Sequence, residues 1–370
     1  MPLASDGYSP KAQSAATRVL VVDDSALMRR QLARMFADEP DFEVATARDG
    51  EHALAQIRSF QPDVVTLDIH MPVMDGLECL SRIMTECPLP VVMVSSLTER
   101  GALATLEALE LGAVDYIQKP GGTVTVDMDR VQKALVEKVR AAATARLGDM
   151  PHATPEPAVV APRRAEITPL SNEGVVVIGV STGGPRTLEH ILPQLPASFP
   201  WPILVAQHMP ASFTGVFARR MNDRCQLRVS EVGGLTEVTA GGIYIARGDA
   251  DMALSRRGGK LKAMPVPPDG GRFWHPSVDR LMSSAMEQLP AASIAGVLLT
   301  GMGDDGADAM ARLYRQGGFT IAESEDTAVV WGMPKALVDQ GGAELVIPAG
   351  LVAQQLQRHL RQVSLDTETA

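Results

Sequence analysis

Aromatic residues are scarce in this chain, at 4% of 370 residues, so Val, Leu, Ile, Ala and Met must fill its cores. Cysteine is nearly absent as well. Cys79, Cys87 and Cys225 form no Cys-x-x-Cys pair and leave an odd count. That argues against a disulfide framework or a cysteine zinc site and fits a reducing compartment. No run approaches the ~20 apolar residues of a membrane span, and Met1 to Ala16 holds no apolar signal core. The chain therefore reads as cytoplasmic, with no membrane insertion. An excess of cations is missing too: 34 Lys and Arg stand against 44 Asp and Glu, a net charge of -10. Electrostatic capture of nucleic acid or of an anionic membrane wants the opposite balance, so no nucleic-acid partner is expected.

What is present is ample material for two cores. The length exceeds the ~100–200 residues of one domain, with 45% apolar and 21% charged residues. Between Gly148 and Gly174 fall Pro151, Pro155, Pro157, Pro162 and Pro169, with no sustained period of 2 or 3.6. Proline fixes φ and removes backbone donors, so this stretch reads as an extended linker; a surface loop within one domain is the alternative. The division expected is 17–145, a linker at 146–173, and 174–366.

Short apolar runs alternate with helix-period segments on both sides. Arg18–Val22, Phe42–Thr46, Val64–Leu67, Val91–Val94 and Val114–Ile117 read as strands, with helical patterns such as Ala26–Phe36 and Leu77–Met84 between them. Five such units imply an α/β fold with a parallel sheet covered on both faces. After the linker, Val175–Ile178, Ile203–Val205 and Val297–Leu299 repeat the theme, and Gly233–Leu261 is a glycine-punctuated β-rich insertion.

Ligands of an open parallel sheet bind beyond the carboxyl ends of its strands. In the first domain those ends deliver Asp23, Asp24, Asp68, Ser95 and Lys119 to one edge. Clustered carboxylates repel and need a cation, and oxygen donors suit a hard ion such as Mg²⁺; helix capping by Asp23 and Asp24 is the blander reading. The motifs V-V-D-D-S, L-D-I-H-M-P-V-M-D-G, M-V-S-S and Y-I-Q-K-P resemble the flavodoxin-like receiver domain of two-component response regulators. The resemblance implies that Asp68 accepts a phosphoryl group from a histidine kinase. It also implies that Asp24, Asp68 and the His70 carbonyl hold Mg²⁺ with Asp23 acting through water, and that Ser95, Tyr116 and Lys119 form the switch.

The second domain brings a serine, a histidine and an aspartate to strand ends. Gly179-x-Ser181-x-Gly183 has the spacing of a nucleophile elbow, though a phosphate-binding glycine turn has the same shape. His208 follows the next strand, and Asp304 and Asp305 follow a third, while His190 and His359 read as exposed helix residues. A nucleophilic serine needs a base and a group to orient it. The order Ser, His, Asp is not that of the α/β-hydrolases, so a different doubly wound fold is expected.

The motifs G-V-S-T-G-G-P, Q-H-M-P-A-S-F-T, P-S-V-D, T-G-M-G-D-D-G and V-V-W-G-M-P resemble the chemotaxis methylesterases of the CheB family. That resemblance implies Ser181 as nucleophile, His208 as base, Asp305 as its orienting acid, and oxyanion N–H groups from Thr182 and Met302. It implies hydrolysis of glutamyl methyl esters on chemoreceptors, controlled by the receiver, and leaves open the deamidation of glutamines. Trp274-His275 and Asp251 depart from the family pattern, outside the triad. The same chemistry on receptors of a non-motility pathway is an alternative, and a DNA-binding response regulator a more distant one.

Overall fold

The computed structural model describes residues 16–95, 98–119, 128–145, 174–268, 270 and 274–368; the segment read as a linker, 146–173, lies outside the described residues. Strands that lose water on both faces are predominantly apolar, and in the first domain the two strands buried at every position, Val64–Asp68 and Val91–Ser95, read that way. The strands of this domain are β1 (Thr17–Val22), β2 (Phe42–Ala47), β3 (Val64–Asp68), β4 (Val91–Ser95) and β5 (Asp115–Gln118). Between and after them come α1 (Ala26–Ala37), α2 (Gly50–Phe60), α3 (Gly76–Glu86), α4 (Glu99–Leu111) and α5 (Met128–Ala143). The sheet is parallel, in the order β2-β1-β3-β4-β5. This is the flavodoxin-like order, whose switch point lies between β1 and β3. The side chains of Ser25, Asp49, Asp75 and Thr98 cap the first four helices, fixing where each loop ends.

The second domain contributes β6 (Val175–Val180), α6 (Gly184–Ile191), β7 (Ile203–Gln207), α7 (Ala211–Arg224), β8 (Arg228–Val232), β9 (Thr236–Glu237) and β10 (Gly242–Ala246). It continues with β11 (Asp251–Arg257), β12 (Lys260–Val266), α8 (Val278–Gln288), β13 (Ile294–Leu298), α9 (Ala307–Arg315) and β14 (Phe319–Glu323). It closes with α10 (Met333–Asp339), β15 (Leu345–Ile347) and α11 (Ala349–Glu368). Seven strands form a parallel sheet ordered β15-β14-β13-β6-β7-β10-β8, and β11, β12 and β9 form a separate antiparallel sheet, the β-rich insertion. Its neighbour β10 belongs to the main sheet, between β7 and β8.

Two expectations change. β13 starts three residues before the apolar run Val297–Leu299, because Ala295 and Gly296 pair with β6 while carrying little hydrophobic signal. A Cβ on Gly296 would stand 3.0 Å from Met282 Cε, a tight contact that the end of the methionine side chain would have to yield. Neither His190 nor His359 is exposed; both are half-buried. His359 stacks on Phe319 at 3.9 Å, with Trp201 edge-on, and burial lowers its pKa.

The α4–β5 face of the first domain packs on α6 and α7 of the second. Tyr116 stacks on Phe213 with ring centroids 4.6 Å apart. Thr182 Oγ1 donates to Asp115 Oδ2 at 2.7 Å, and both residues are buried.

Candidate functional sites at two sheet edges

In the first domain, Asp23 follows β1, Asp68 ends β3 and Lys119 follows β5. Lys119 Nζ lies 2.7 Å from Asp68 Oδ2 and 3.0 Å from Asp23 Oδ2. Asp23 and Asp68 are buried and Asp24 is exposed, yet one carboxylate oxygen from each lies within 4.8 Å of the others. This oxygen-only donor set fits a hard divalent cation. Burial raises the Asp68 pKa, assisted by Asp23 and opposed by the Lys119 hydrogen bond and charge. Lys119 itself is pushed above its usual value, because its bonds to Asp68 and Asp23 outweigh burial.

The remaining receiver residues are placed as follows. The exposed His70 donates its N–H to Asp68 Oδ1 at 3.4 Å. Ser95 is buried and its hydroxyl donates to the Gly101 carbonyl on α4 at 3.2 Å. Tyr116 is buried with its hydroxyl unpartnered among the described residues, and Lys138 Nζ stands 5.2 Å from its ring centroid.

In the second domain, Ser181, His208 and Asp305 all lie past the ends of three adjacent strands, β6, β7 and β13. Val180 pairs with Gln207, so Ser181 and His208 are the next residues of neighbouring strands, and His208 N–H donates to the Val180 carbonyl at 3.1 Å. Ser181 N–H donates to the Thr300 carbonyl at 2.9 Å, which ties the Ser181 turn to the loop after β13. Gly183 adopts φ +77°, and a Cβ there would meet Val329 at 2.6 Å. At Gly301 a Cβ would come within 2.7 Å of Ser181 Cβ, so only glycine lets this loop approach.

His208 Nε2 lies 2.8 Å from Asp305 Oδ2, while the buried Nδ1 has no partner among the described residues. With Asp305 ionised, Nε2 carries the proton and Nδ1 is the free basic nitrogen. Asp305 also accepts from the Ser277 hydroxyl at 3.0 Å and from the N–H groups of Val278 at 2.7 Å and Asp279 at 3.1 Å. Its carboxylate thus sits at the N-terminus of α8, where free donors and the helix dipole favour an anion. Burial pushes its pKa up, but His208 and the two backbone N–H groups win, and the carboxyl stays below its usual range. Thr182 is buried and Met302 half-buried, flanking Ser181 on the two loops. Asp304 is exposed on the same loop.

Several residues around this site carry no role in the sequence reading. Ser277 caps α8 and holds Asp305; the P-S-V-D motif was the available signal. Gln207 Nε2 donates to the carbonyls of Ser181 and His208, at 3.0 and 3.1 Å, and so spans both strand ends. Glu323, fully buried, accepts from Thr300 N–H at 2.7 Å and from the Thr327 hydroxyl at 2.9 Å.

The residues at 251, 274 and 275, which depart from the family pattern, reach the His208 ring and the start of α8. Trp274 stacks beside His208, ring centroids 5.9 Å apart and 13° between planes. Buried Asp251 accepts from Ser277 N–H at 2.7 Å, pairs with His275 Nδ1 at 2.7 Å, and takes Arg280 Nη1 at 3.2 Å. It braces the start of the helix that holds Asp305.

Fold and sites together define a response-regulator receiver joined to a hydrolase domain built on a second parallel sheet. The response regulator receiver domain model matches residues 19–128, and the CheB methylesterase model matches residues 176–356. A Rhodospirillum rubrum protein named protein-glutamate methylesterase/protein-glutamine glutaminase 3 is 54% identical over 352 residues, covering 92% of this chain and 95% of that protein. A Caldanaerobacter subterraneus subsp. tengcongensis protein of the same type is 45% identical, covering 95% of this chain and 98% of that one. Among solved structures, the Thermotoga maritima CheB methylesterase catalytic domain is 40% identical, covering 50% of this chain and 97% of that domain, with a TM-score of 0.48. The chain belongs to the CheB family of receiver-linked methylesterases. Among the described residues no helix is long and apolar enough to cross a membrane.

Proposed function

We propose that this chain is a phosphorylation-activated protein-glutamate methylesterase acting on chemoreceptors, with Ser181 as nucleophile, His208 as general base and Asp305 as the group that orients it. The observation that carries the proposal is the imidazole itself. One nitrogen is tied to Asp305, and the other is buried and unpartnered among the described residues, beside the strand end that bears Ser181.

In this mechanism Ser181 Oγ attacks the glutamyl ester carbonyl and its proton passes to His208 Nδ1. The oxyanion lies toward the Thr182 and Met302 N–H groups. The imidazolium returns the proton to the departing methoxide, releasing methanol and leaving a glutamyl ester on Ser181. Water then attacks that ester, His208 takes its proton and returns it to Ser181 Oγ, and the receptor leaves with a free glutamyl side-chain carboxylate. A glutamine amide fits the same steps with ammonia as the leaving group, in keeping with the double name of the relatives.

Asp68 is the phosphoacceptor in this proposal, with a chemotaxis-type histidine kinase as donor. Asp23, Asp24, Asp68 and the His70 carbonyl would hold Mg²⁺, which when bound neutralises phosphoryl oxygens. Lys119, already set between Asp23 and Asp68, pairs with the phosphoryl group, and Ser95 turns from the Gly101 carbonyl to receive one of its oxygens. Tyr116 is the switch that carries the change outward, since its ring is stacked against Phe213 of the catalytic half. The docked receiver covers the approach to Ser181 through Asp115 and Tyr116, and phosphorylation shifts the equilibrium toward release.

Methanol release from methylated receptor membranes tests the reading. The full chain with a small phosphodonor is expected to be active. Ser181→Ala is expected to be inactive though folded, and Asp68→Asn to be deaf to the phosphodonor. Turnover retained by Ser181→Ala would move the nucleophile elsewhere.

A further inference from the structure

The catalytic half carries a carboxylate-binding fork that the receiver fills. Glu189 on α6, its side chain 10% exposed, accepts Arg220 Nε at 2.6 Å and Arg224 Nη1 at 3.1 Å. Both guanidiniums of α7 are therefore held from within their own domain, each with an Nη2 group to spare. The two Nη2 groups converge on one carboxylate, Glu110 at the end of α4: Arg224 Nη2 lies 2.9 Å from Oε1, and Arg220 Nη2 bonds Oε2. Against burial, these two arginines hold the Glu110 carboxyl below its usual value. Planar guanidiniums fixed in this way match a carboxylate far better than mobile lysines would. Without Glu110, two cations face one anion, and one positive charge is left uncompensated on a chain whose net charge is -10.

The fork is continuous with the catalytic site. The receiver covers Thr182 beside Ser181 through Asp115, then Phe213 in the first turn of α7 through Tyr116, then Arg220 and Arg224 in its last turns through Glu110. At 1.5 Å per residue, the stretch of α7 from Phe213 to Arg224 is roughly 16 Å long. Departure of the receiver uncovers it as one surface with the reactive serine near one end and the fork at the other.

We infer that Arg220 and Arg224 anchor an acidic residue of the protein substrate while its ester lies at Ser181, and that Glu110 fills the anchor as a substrate mimic until the receiver leaves. The inference rests on the methylesterase reading and adds where the substrate is gripped. Release of the receiver then unmasks the substrate's own binding groups, so activation lowers KM for the receptor as well as opening the serine.

The test uses the full chain, phosphorylated with acetyl phosphate, on two substrates: methylated receptor membranes, and a short peptide γ-methyl glutamate ester without acidic residues. The double variant Arg220→Gln/Arg224→Gln is expected to raise KM for the receptor about 10-fold and to lower the receptor-to-peptide ratio of kcat/KM by a similar factor. Glu110→Gln is expected to raise activity before phosphorylation while keeping the wild-type receptor KM afterwards. An oligoglutamate peptide added to the wild-type enzyme is expected to compete with the receptor and not with the short ester, a readout that needs no variant to fold. Raised resting activity with an unchanged receptor KM in the double variant would reduce the arginines to an interdomain latch and overturn the anchor, as would absent competition by oligoglutamate. A wild-type chain that hydrolyses neither substrate overturns the esterase reading and the anchor with it. Hydrolysis of both with an unaltered ratio in the double variant overturns the anchor alone.

Discussion

Asp68 ends β3 and Asp305 lies in the loop after β13, each at the carboxyl edge of a parallel sheet, and their carboxyls are shifted in opposite directions. Asp68 is raised, because burial and the neighbouring Asp23 outweigh one lysine. Asp305 is lowered although it too is buried, because an imidazole and two backbone N–H groups at the start of α8 point at it. Topology brings each acid to the edge, while the donors around it decide its chemistry. A carboxylate short of donors is poised to gain a cation and a phosphoryl group. A carboxylate saturated with donors stays ionised and can hold a histidine in one tautomer.

That contrast can be broken from either side. The largest expected effect belongs to Ser181→Ala, which should cost on the order of 10⁴–10⁶ in kcat for methanol release while leaving the melting temperature near wild type. Asp305→Asn comes next. The amide keeps the shape but no longer enforces the proton on Nε2, and kcat should fall on the order of 10³–10⁴-fold. A small loss in that variant would mean His208 is oriented by something other than Asp305. Asp115→Ala removes the acceptor of the Thr182 hydroxyl at the domain interface and should raise unphosphorylated activity roughly 10-fold. Unchanged resting activity would show that this contact does not hold the receiver down.

The smallest effect is on stability against pH, where the opposite shifts give opposite signs. Asp305 is depressed on folding, so its contribution is present above about pH 4 and is lost as pH falls through its folded value. Glu323 behaves in reverse. Burial, opposed by its bonds from Thr300 and Thr327, raises it to about 7. Its contribution is full below the unfolded value of ~4.3 and disappears as pH rises to about 7. Chemical denaturation of wild type and Glu323→Gln at pH 5 and pH 8 should show the variant gaining about 1–3 kcal/mol relative to wild type across that interval. Equal pH slopes would mean that Glu323 does not titrate there.

The two sites were not equally legible. In the receiver, every side chain of the acidic site falls at the end of an apolar run, and the runs are clean because β3 and β4 are buried on both faces. In the second domain Ser181 and His208 were readable in the same way. The support around them was not. Ser277, Asp251, Gln207 and Glu323 are ordinary polar residues whose importance comes from what they touch across the fold. Trp274 stood in the sequence only as a departure from a pattern, and its position beside the His208 ring needed coordinates.

By itself the sequence determined that there are two α/β units, which residues end their strands, and hence which side chains share an edge; hydrophobic periodicity and chain direction carry that information locally. Only the tertiary structure decided that α8 points its N-terminus at Asp305, and that Glu110 lies in a fork built by α6 and α7. Those relations join residues far apart along the chain through backbone donors and fixed guanidiniums, whose partners are set by packing and leave no periodic trace in the sequence.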